Sequence, residues 1–271
     1  MIFVVKAETP RVKQVVNVTK FPGGEVGVNI NGNFRESQRA FIIAHLTCSD
    51  DVMALLLTVD AIRQQKPNIT LLLQLAYVPY ARQDRVCNPG EALSIRVFAN
   101  LINSLNFSEV LIFDPHSDVT PALIKNSTVV SAGDIFGHIN FGGKWIVAPD
   151  AGAAKRCEAF AKRVGAEGVI QCVKHRETTT GKLSGFRALD DVEGKRLVVV
   201  DDILDGGRTF IGLSAVLEGA QSKELVVTHG IFSAGVEELV KHYDKIYTTN
   251  SFWGEVPENL LHEKIEWDCS W

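Results

Sequence analysis

Asp201, Asp202 and Asp205 stand directly before Gly206, Gly207 and Thr209, at the end of the apolar run Leu197–Val200. The run reads as a strand buried on both faces, and the glycines as the turn into a helix that Thr209 can cap. Backbone N–H groups converge at such a turn and suit a phosphate. A carboxylate pair at the strand end accepts from sugar hydroxyls or holds a magnesium shell. Phosphate on one side and hydroxyls on the other describe a sugar phosphate. Taken singly, each of these residues is an ordinary solvated turn residue; their concentration in one short segment carries the reading.

Other polar clusters fall where strands are expected to end, the place where open α/β sheets hold ligands. Asp114, His116 and Asp118 follow the strand Val110–Phe113, and imidazole beside carboxylates fits magnesium or a metal-bound phosphate, although a satisfied surface histidine has the same appearance. Asp150, just before Gly152, is either a helix cap or a ligand. In YARQDR, residues 80–85, the Arg82 fork matches phosphate and the Gln83 amide can read a base; a salt-bridged loop containing Asp84 is the plain alternative. Phe21 can stack on a purine with Glu25 accepting from its exocyclic amine, whereas in isolation Phe21 reads as core. Lys174 and Arg176, two apart in an extended segment, can face one charged reaction centre or simply a solvated surface.

The elements that must position these groups alternate between strand and helix. Val26–Ile30 reads as one arm of a hairpin, Arg39–Ala44 as a strand, and Asp50 to Gln65 as a helix with Val52, Leu55, Leu56, Val59 and Ile62 at helical spacing. Strands at 69–75 and 110–113, with a helix at 92–105 between them, complete a first half. The second half reads as helix 132–139, strand 145–147, helix 151–164, strand 168–173, a polar loop over 174–185, the acidic strand, helix 210–219, strand 225–228, helix 235–243 and strand 245–247. This pattern predicts an α/β fold of two halves, residues 1–132 and 133–271, each a mainly parallel sheet flanked by helices.

With 271 residues, 46% of them hydrophobic and 22% charged, the chain can bury a large core. A net charge of -4 gives no basic footprint for nucleic acid, so anionic substrates must be recruited by local cations or magnesium. Neither a secretory leader nor a membrane span is legible, and the five cysteines are scattered without metal spacing, so a cytoplasmic protein with reduced thiols is expected.

In order, FPGGEVGVNI, YARQDR, FDPHSD, APDAG, VKHRE, VVVDDILDGGRT and THGIFS resemble the ribose-phosphate pyrophosphokinase family from about Lys20 to Ser233. The resemblance implies two tandem phosphoribosyltransferase-like domains, the first serving ATP and the second ribose 5-phosphate. The implied reaction moves the β,γ-diphosphoryl group of ATP to O1 of ribose 5-phosphate and releases AMP, with Mg2+ required. It implies that Phe21, Glu25, Arg82, Gln83, Asp84 and His116 bind ATP and that His116 and Asp150 serve the metal. Lys174 and Arg176 are then catalytic, while Asp201, Asp202, Asp205, Gly206, Gly207, Arg208 and Thr209 hold ribose 5-phosphate. The Phe21 hairpin is expected to reach a neighbouring subunit, making the protein a homo-oligomer with shared sites.

Departures from the family pattern are Gly23 for aspartate in the hairpin, His175 and Ala153 beside the reacting groups, and Gly206 and Arg208 for threonine and glycine in the sugar-phosphate loop. Gly206, Arg208 and Gly23 favour a second reading, a catalytically silent regulatory subunit, against which stand Lys174, Arg176, His116 and Asp150. A phosphoribosyltransferase that consumes the product would leave the N-terminal half unused.

Overall fold

A computed structural model describes residues 3–7, 13–176, 183–252 and 261–262. They divide into two compact units, the first reaching Val130 and the second beginning at Ser131.

The first unit contains β1 (Phe3–Ala7), β2 (Lys13–Lys20), β3 (Val26–Ile30), β4 (Arg39–His45), α1 (Ser49–Gln65), β5 (Thr70–Tyr77), α2 (Ser94–Ser104), β6 (Glu109–Phe113), α3 (Val119–Leu123) and β7 (Ser127–Val130). The sheet order is β3-β2-β1-β4-β5-β6-β7. Strands β4 to β7 run parallel, and β1 to β3 are joined to them antiparallel. Val52, Leu55, Val59 and Ile62 of α1 are buried with Leu71, Leu73 and Leu75 of β5, the helical stripe and the strand alternation meeting in one core. The helix opens because Asp51 turns back: its carboxylate accepts from the Thr47 N–H at 2.7 Å, the Thr47 hydroxyl at 2.9 Å and the Cys48 N–H at 3.1 Å. Charge-assisted bonds at a helix start are stabilising by about 1 kcal/mol.

The second unit contains α4 (Ala132–Ile135), β8 (Trp145–Ala148), α5 (Ala154–Val164), β9 (Gly168–Arg176), β10 (Leu183–Ala188), β11 (Arg196–Leu204), α6 (Arg208–Ala215), β12 (Ser222–Gly230), β13 (Lys245–Thr249) and β14 (Leu261–His262). Its order is β10-β9-β8-β11-β12-β13-β14, parallel apart from β10. Leu197 and Val199 of β11 enter a core with Phe210 and Leu213 of α6, while Val198 and Val200 enter one with Cys157 and Phe160 of α5. A strand apolar at every position is apolar because both its faces are covered.

Four expected boundaries shift. The helix over 132–139 is only α4, capped by Ser131 and Asp134; Gly133 and Gly137 lower helix propensity by about 1 kcal/mol each. The expected loop at 174–185 is instead the end of β9 and the start of β10, with Lys174 opposite Phe186 and Arg176 opposite Leu183. Residues 177–182 of that segment lie outside the described residues. Strand β11 continues through Asp201 and Asp202 to Leu204, because β12 pairs with it as far as Gly230. The helix expected at 235–243 is a single 3₁₀ turn, Leu239–Lys241, preceded by Gly235 at φ 80°, a left-handed conformation that cannot continue a helix.

Candidate active site

In β11 the acidic pair occupies paired strand positions, Asp201 lying in register with Val227 of β12. The backbone N–H of Asp202 donates to Asp201 Oδ1 at 2.9 Å. On α5, Arg156 Nη2 lies 3.9 Å from Asp202 Oδ1, with the two side chains 18% and 7% exposed. Burial pushes the Asp201 carboxyl well above the usual carboxylate range, and the neighbouring Asp202 charge and hydrogen bond push it the same way; the Asp202 N–H and the Arg156 charge only partly offset this. Two crowded acids beside one guanidinium make a site that favours an added cation or a hydroxyl donor.

Below the pair, Gly207 is the N-cap of α6 at φ 75°. Glycine is favoured there by conformation, and a Cβ would lie 3.2 Å from Leu239 Cδ1 and Cδ2, so that side chain would have to shift. Thr209, expected as the cap, is the second helical residue instead. The first N–H groups of α6 have no acceptor within the helix, which is the donor set the sequence predicted for a phosphate. Between the acids and the glycines, Asp205 Oδ1 accepts from the Ser233 hydroxyl at 2.6 Å.

In the first unit, Phe21 caps the β2–β3 turn: its N–H donates to the Glu25 carbonyl and its carbonyl accepts from the Gly24 N–H, both at 2.8 Å. The ring is 51% exposed rather than part of the core. It lies across Gly27, where a Cβ would come within 2.7 Å of it. Phe21, Glu25, Asp50 and Met53 border an open depression of about 410 Å³.

YARQDR and FDPHSD come together. Burial alone would raise the Asp84 carboxyl, but the Ser117 hydroxyl, Arg85 and the His116 ring outweigh it and hold Asp84 below the usual range. Arg85 Nε is 3.3 Å from Asp84 Oδ1. Ser117 Oγ is buried with no hydrogen bond of ordinary geometry, so its effect on Asp84 is that of a nearby oriented dipole. Arg82 and Gln83 have exposed side chains. Both loops begin on a non-glycine residue with positive φ, Tyr80 at 65° and Asp114 at 39°. Backbone of this kind is held at a cost of about 1–3 kcal/mol and gathers at functional loops.

Asp150 Oδ1 accepts from the Ala153 N–H at 3.2 Å, tightening the entry to α5. Lys174 and Arg176 stand two positions apart on β9, with His175 between them. Of the expected metal pair, His116 belongs to the first unit and Asp150 to the second. Among the described residues, no group of three His, Cys, Asp or Glu is gathered as a metal cage. An oxygen-rich, partly assembled donor set such as Asp201 with Asp202 nevertheless suits magnesium, which keeps most of its water and takes its remaining ligands from substrate phosphates.

Three contributors were not found in the sequence: Arg156, Ser117 and Ser233. Arg156 left one trace, since Lys155 and Arg156 put cations in the first turn of a helix, where the dipole disfavours them unless something acidic faces them. Ser117 and Ser233 lie within the segments FDPHSD and THGIFS, but nothing in those segments assigns either serine a role.

Residues 6–105 match the family model for the N-terminal domain of ribose phosphate pyrophosphokinase, and residues 131–263 match that for the phosphoribosyl transferase domain. A ribose-phosphate pyrophosphokinase of Thermococcus kodakarensis is 31% identical over 245 residues, covering 87% of this chain and 85% of the relative. One of Pyrococcus abyssi is 31% identical over 258 residues, covering 92% and 88%. The crystal structure of phosphoribosylpyrophosphate synthetase from Mycobacterium smegmatis superposes with a TM-score of 0.80 at 22% identity over 94% of this chain and 87% of that one, so the fold is shared. Family models over both halves, and relatives above 30% identity along most of their length, show that the chain belongs to the ribose-phosphate pyrophosphokinase family.

Proposed function

We propose that the protein is an active ribose-phosphate diphosphokinase, converting ATP and ribose 5-phosphate to phosphoribosyl pyrophosphate and AMP. The observation that carries this reading is the Asp201–Asp202 pair at the carboxyl end of β11, faced by Arg156 and followed by the left-handed Gly207 turn. Carboxylates of the pair accept from the ribose hydroxyls, and the N–H groups at the start of α6 receive the 5-phosphate. The O1 hydroxyl gives up its proton to water and attacks the β-phosphorus of ATP; the bond from that phosphorus to the α,β-bridging oxygen breaks, and AMP leaves with the bonding pair.

On the ATP side, Phe21 stacks on the adenine and Glu25 accepts from its amine, while Arg82, Gln83, Asp84 and His116 bind the remainder of the nucleotide. Lys174 and Arg176 neutralise charge gathering on the transferred group. Bound Mg2+, held by Asp201, Asp202, His116 or Asp150 and by substrate phosphates, would neutralise phosphate charge. Residues 1–132 form the ATP side and 133–271 the ribose 5-phosphate side of a cytoplasmic homo-oligomer whose sites are completed between subunits. No helix among the described residues is long and apolar enough to cross a membrane.

The test is AMP formation from ATP that depends on both ribose 5-phosphate and Mg2+, with phosphoribosyl pyrophosphate formed in equal amount. Ribose 5-phosphate binding without AMP formation would support the silent regulatory subunit instead, the reading that Gly206, Arg208 and Gly23 favour. Release of diphosphate only when a nucleobase and phosphoribosyl pyrophosphate are supplied would indicate a phosphoribosyltransferase.

A further inference from the structure

Beyond the end of β12, the segment Ile231–Ser233 does not leave the sheet but folds over the last residues of β11. The Ile231 and Phe232 N–H groups both donate to the Leu204 carbonyl, at 2.7 and 3.3 Å, and the Ser233 N–H donates to the Asp205 carbonyl at 3.2 Å. Phe232 turns the chain with φ 50°. A side chain at Gly230 would run into the Phe232 ring and approach the Thr248 hydroxyl, so the turn is available only with glycine before it. The ladder is thereby carried past the strand ends into the turn that precedes Gly206 and Gly207.

On this backbone the Ser233 hydroxyl donates to Asp205 Oδ1 at 2.6 Å, across 28 residues of sequence. The contact falls on the one acidic residue between the carboxylate pair and the phosphate-facing turn. An unrestrained carboxylate there would repel a bound dianion and sample several rotamers. A hydroxyl fixed by its own backbone takes up one carboxylate oxygen, draws off part of its charge and leaves the other oxygen aimed in one direction.

We infer that Ser233 is a positioning residue for ribose 5-phosphate, acting through the Asp205 carboxylate. The inference rests on the proposed assignment of this turn to ribose 5-phosphate. Removing the hydroxyl leaves the three backbone bonds of the segment in place, so the contribution is separable from folding. Ser233 is exposed, and water can partly replace the lost donor; the effect is that of an ordinary hydrogen bond rather than the larger one expected for a charged acceptor.

The experiment is calorimetric titration of ribose 5-phosphate into the wild-type protein, Ser233→Ala, Ser233→Thr and the pair of variants combining Asp205→Ala with and without Ser233→Ala. Thermal melts and steady-state KM values for both substrates accompany it. The expected result is a loss of ribose 5-phosphate affinity of roughly three- to tenfold in Ser233→Ala. The KM for ATP and the melting temperature are unchanged, Ser233→Thr restores affinity, and Ser233→Ala has no further effect in the Asp205→Ala background. Equal affinities for wild type and Ser233→Ala would overturn the inference while leaving the assignment of the turn intact. So would a loss shared equally by both substrates, accompanied by a lower melting temperature and not rescued by threonine, which would mark Ser233 as structural only. A wild-type protein that does not bind ribose 5-phosphate at all would overturn the assignment itself, and the inference with it.

Discussion

Arg156 faces Asp202 at 3.9 Å, too far for a good hydrogen bond and close enough for strong electrostatic coupling between two side chains that solvent barely reaches. Its positive charge is an offset to the carboxylate crowding that raises Asp201. Arg156→Gln therefore raises Asp201 further. If the pair must be ionised to accept from sugar hydroxyls, the acid limb of the pH profile of kcat/KM for ribose 5-phosphate moves to higher pH. A profile scaled down but not displaced would show that Arg156 does not act through the acids.

Asp201 holds its proton more tightly in the folded protein than in the unfolded chain. Its contribution to stability is full below the ordinary carboxylate range and is lost as pH rises through its elevated folded value. Asp201→Asn removes that loss. The ligand-free variant should melt above wild type, and the gap should be wider at pH 8 than at pH 5, each kcal/mol appearing as about 2–4 °C. Activity falls in the same variant. A gap that narrows as pH rises would reverse the assigned direction.

Lys174→Ala and Arg176→Ala should each lower kcat by about a hundredfold or more, the cost of losing one electrostatic stabiliser of a transition state, with smaller changes in either KM. Steady-state kinetics decide this. Unchanged turnover in both variants would return the pair to the solvated surface.

The exposed Phe21 ring and its open depression suit a hairpin that completes a neighbour's site. Mixing Phe21→Ala/Glu25→Ala protein with Lys174→Ala protein, after dissociation and reassembly in equal amounts, should restore activity at about a quarter of sites in a symmetric dimer. Confirmed subunit exchange with no recovery would place the whole site in one chain.

The sequence carried the alternation of elements and the acidic strand because apolar runs such as Leu197–Val200 report burial on both faces directly. It was less informative where backbone pairing, rather than side-chain chemistry, decides conformation. The polar stretch around Lys174 looks like a loop, yet pairing with β10 satisfies its backbone as strand. Thr209 has the right chemistry for a cap, but the left-handed turn at Gly207 starts the helix earlier. Contacts made across the fold were the hardest to read: nothing local to Ser233 points to Asp205, 28 residues away, or local to Ser117 to Asp84.

The two glycines after Asp205 are unequal in what they permit. At Gly206 an added Cβ would meet only the Ser233 hydroxyl, at an ordinary 3.7 Å, whereas at Gly207 it meets Leu239 in a left-handed backbone. The family motif differs from this chain at the first position and agrees with it at the second. In a saturation library selected for the proposed phosphoribosyl pyrophosphate synthesis, position 206 should accept alanine, serine and threonine, while position 207 returns as glycine alone. Sequence drift in this loop is thus confined by the shape of the turn, and of the loop's two departures from the family pattern, Gly206 and Arg208, the first sits where the turn has room for it.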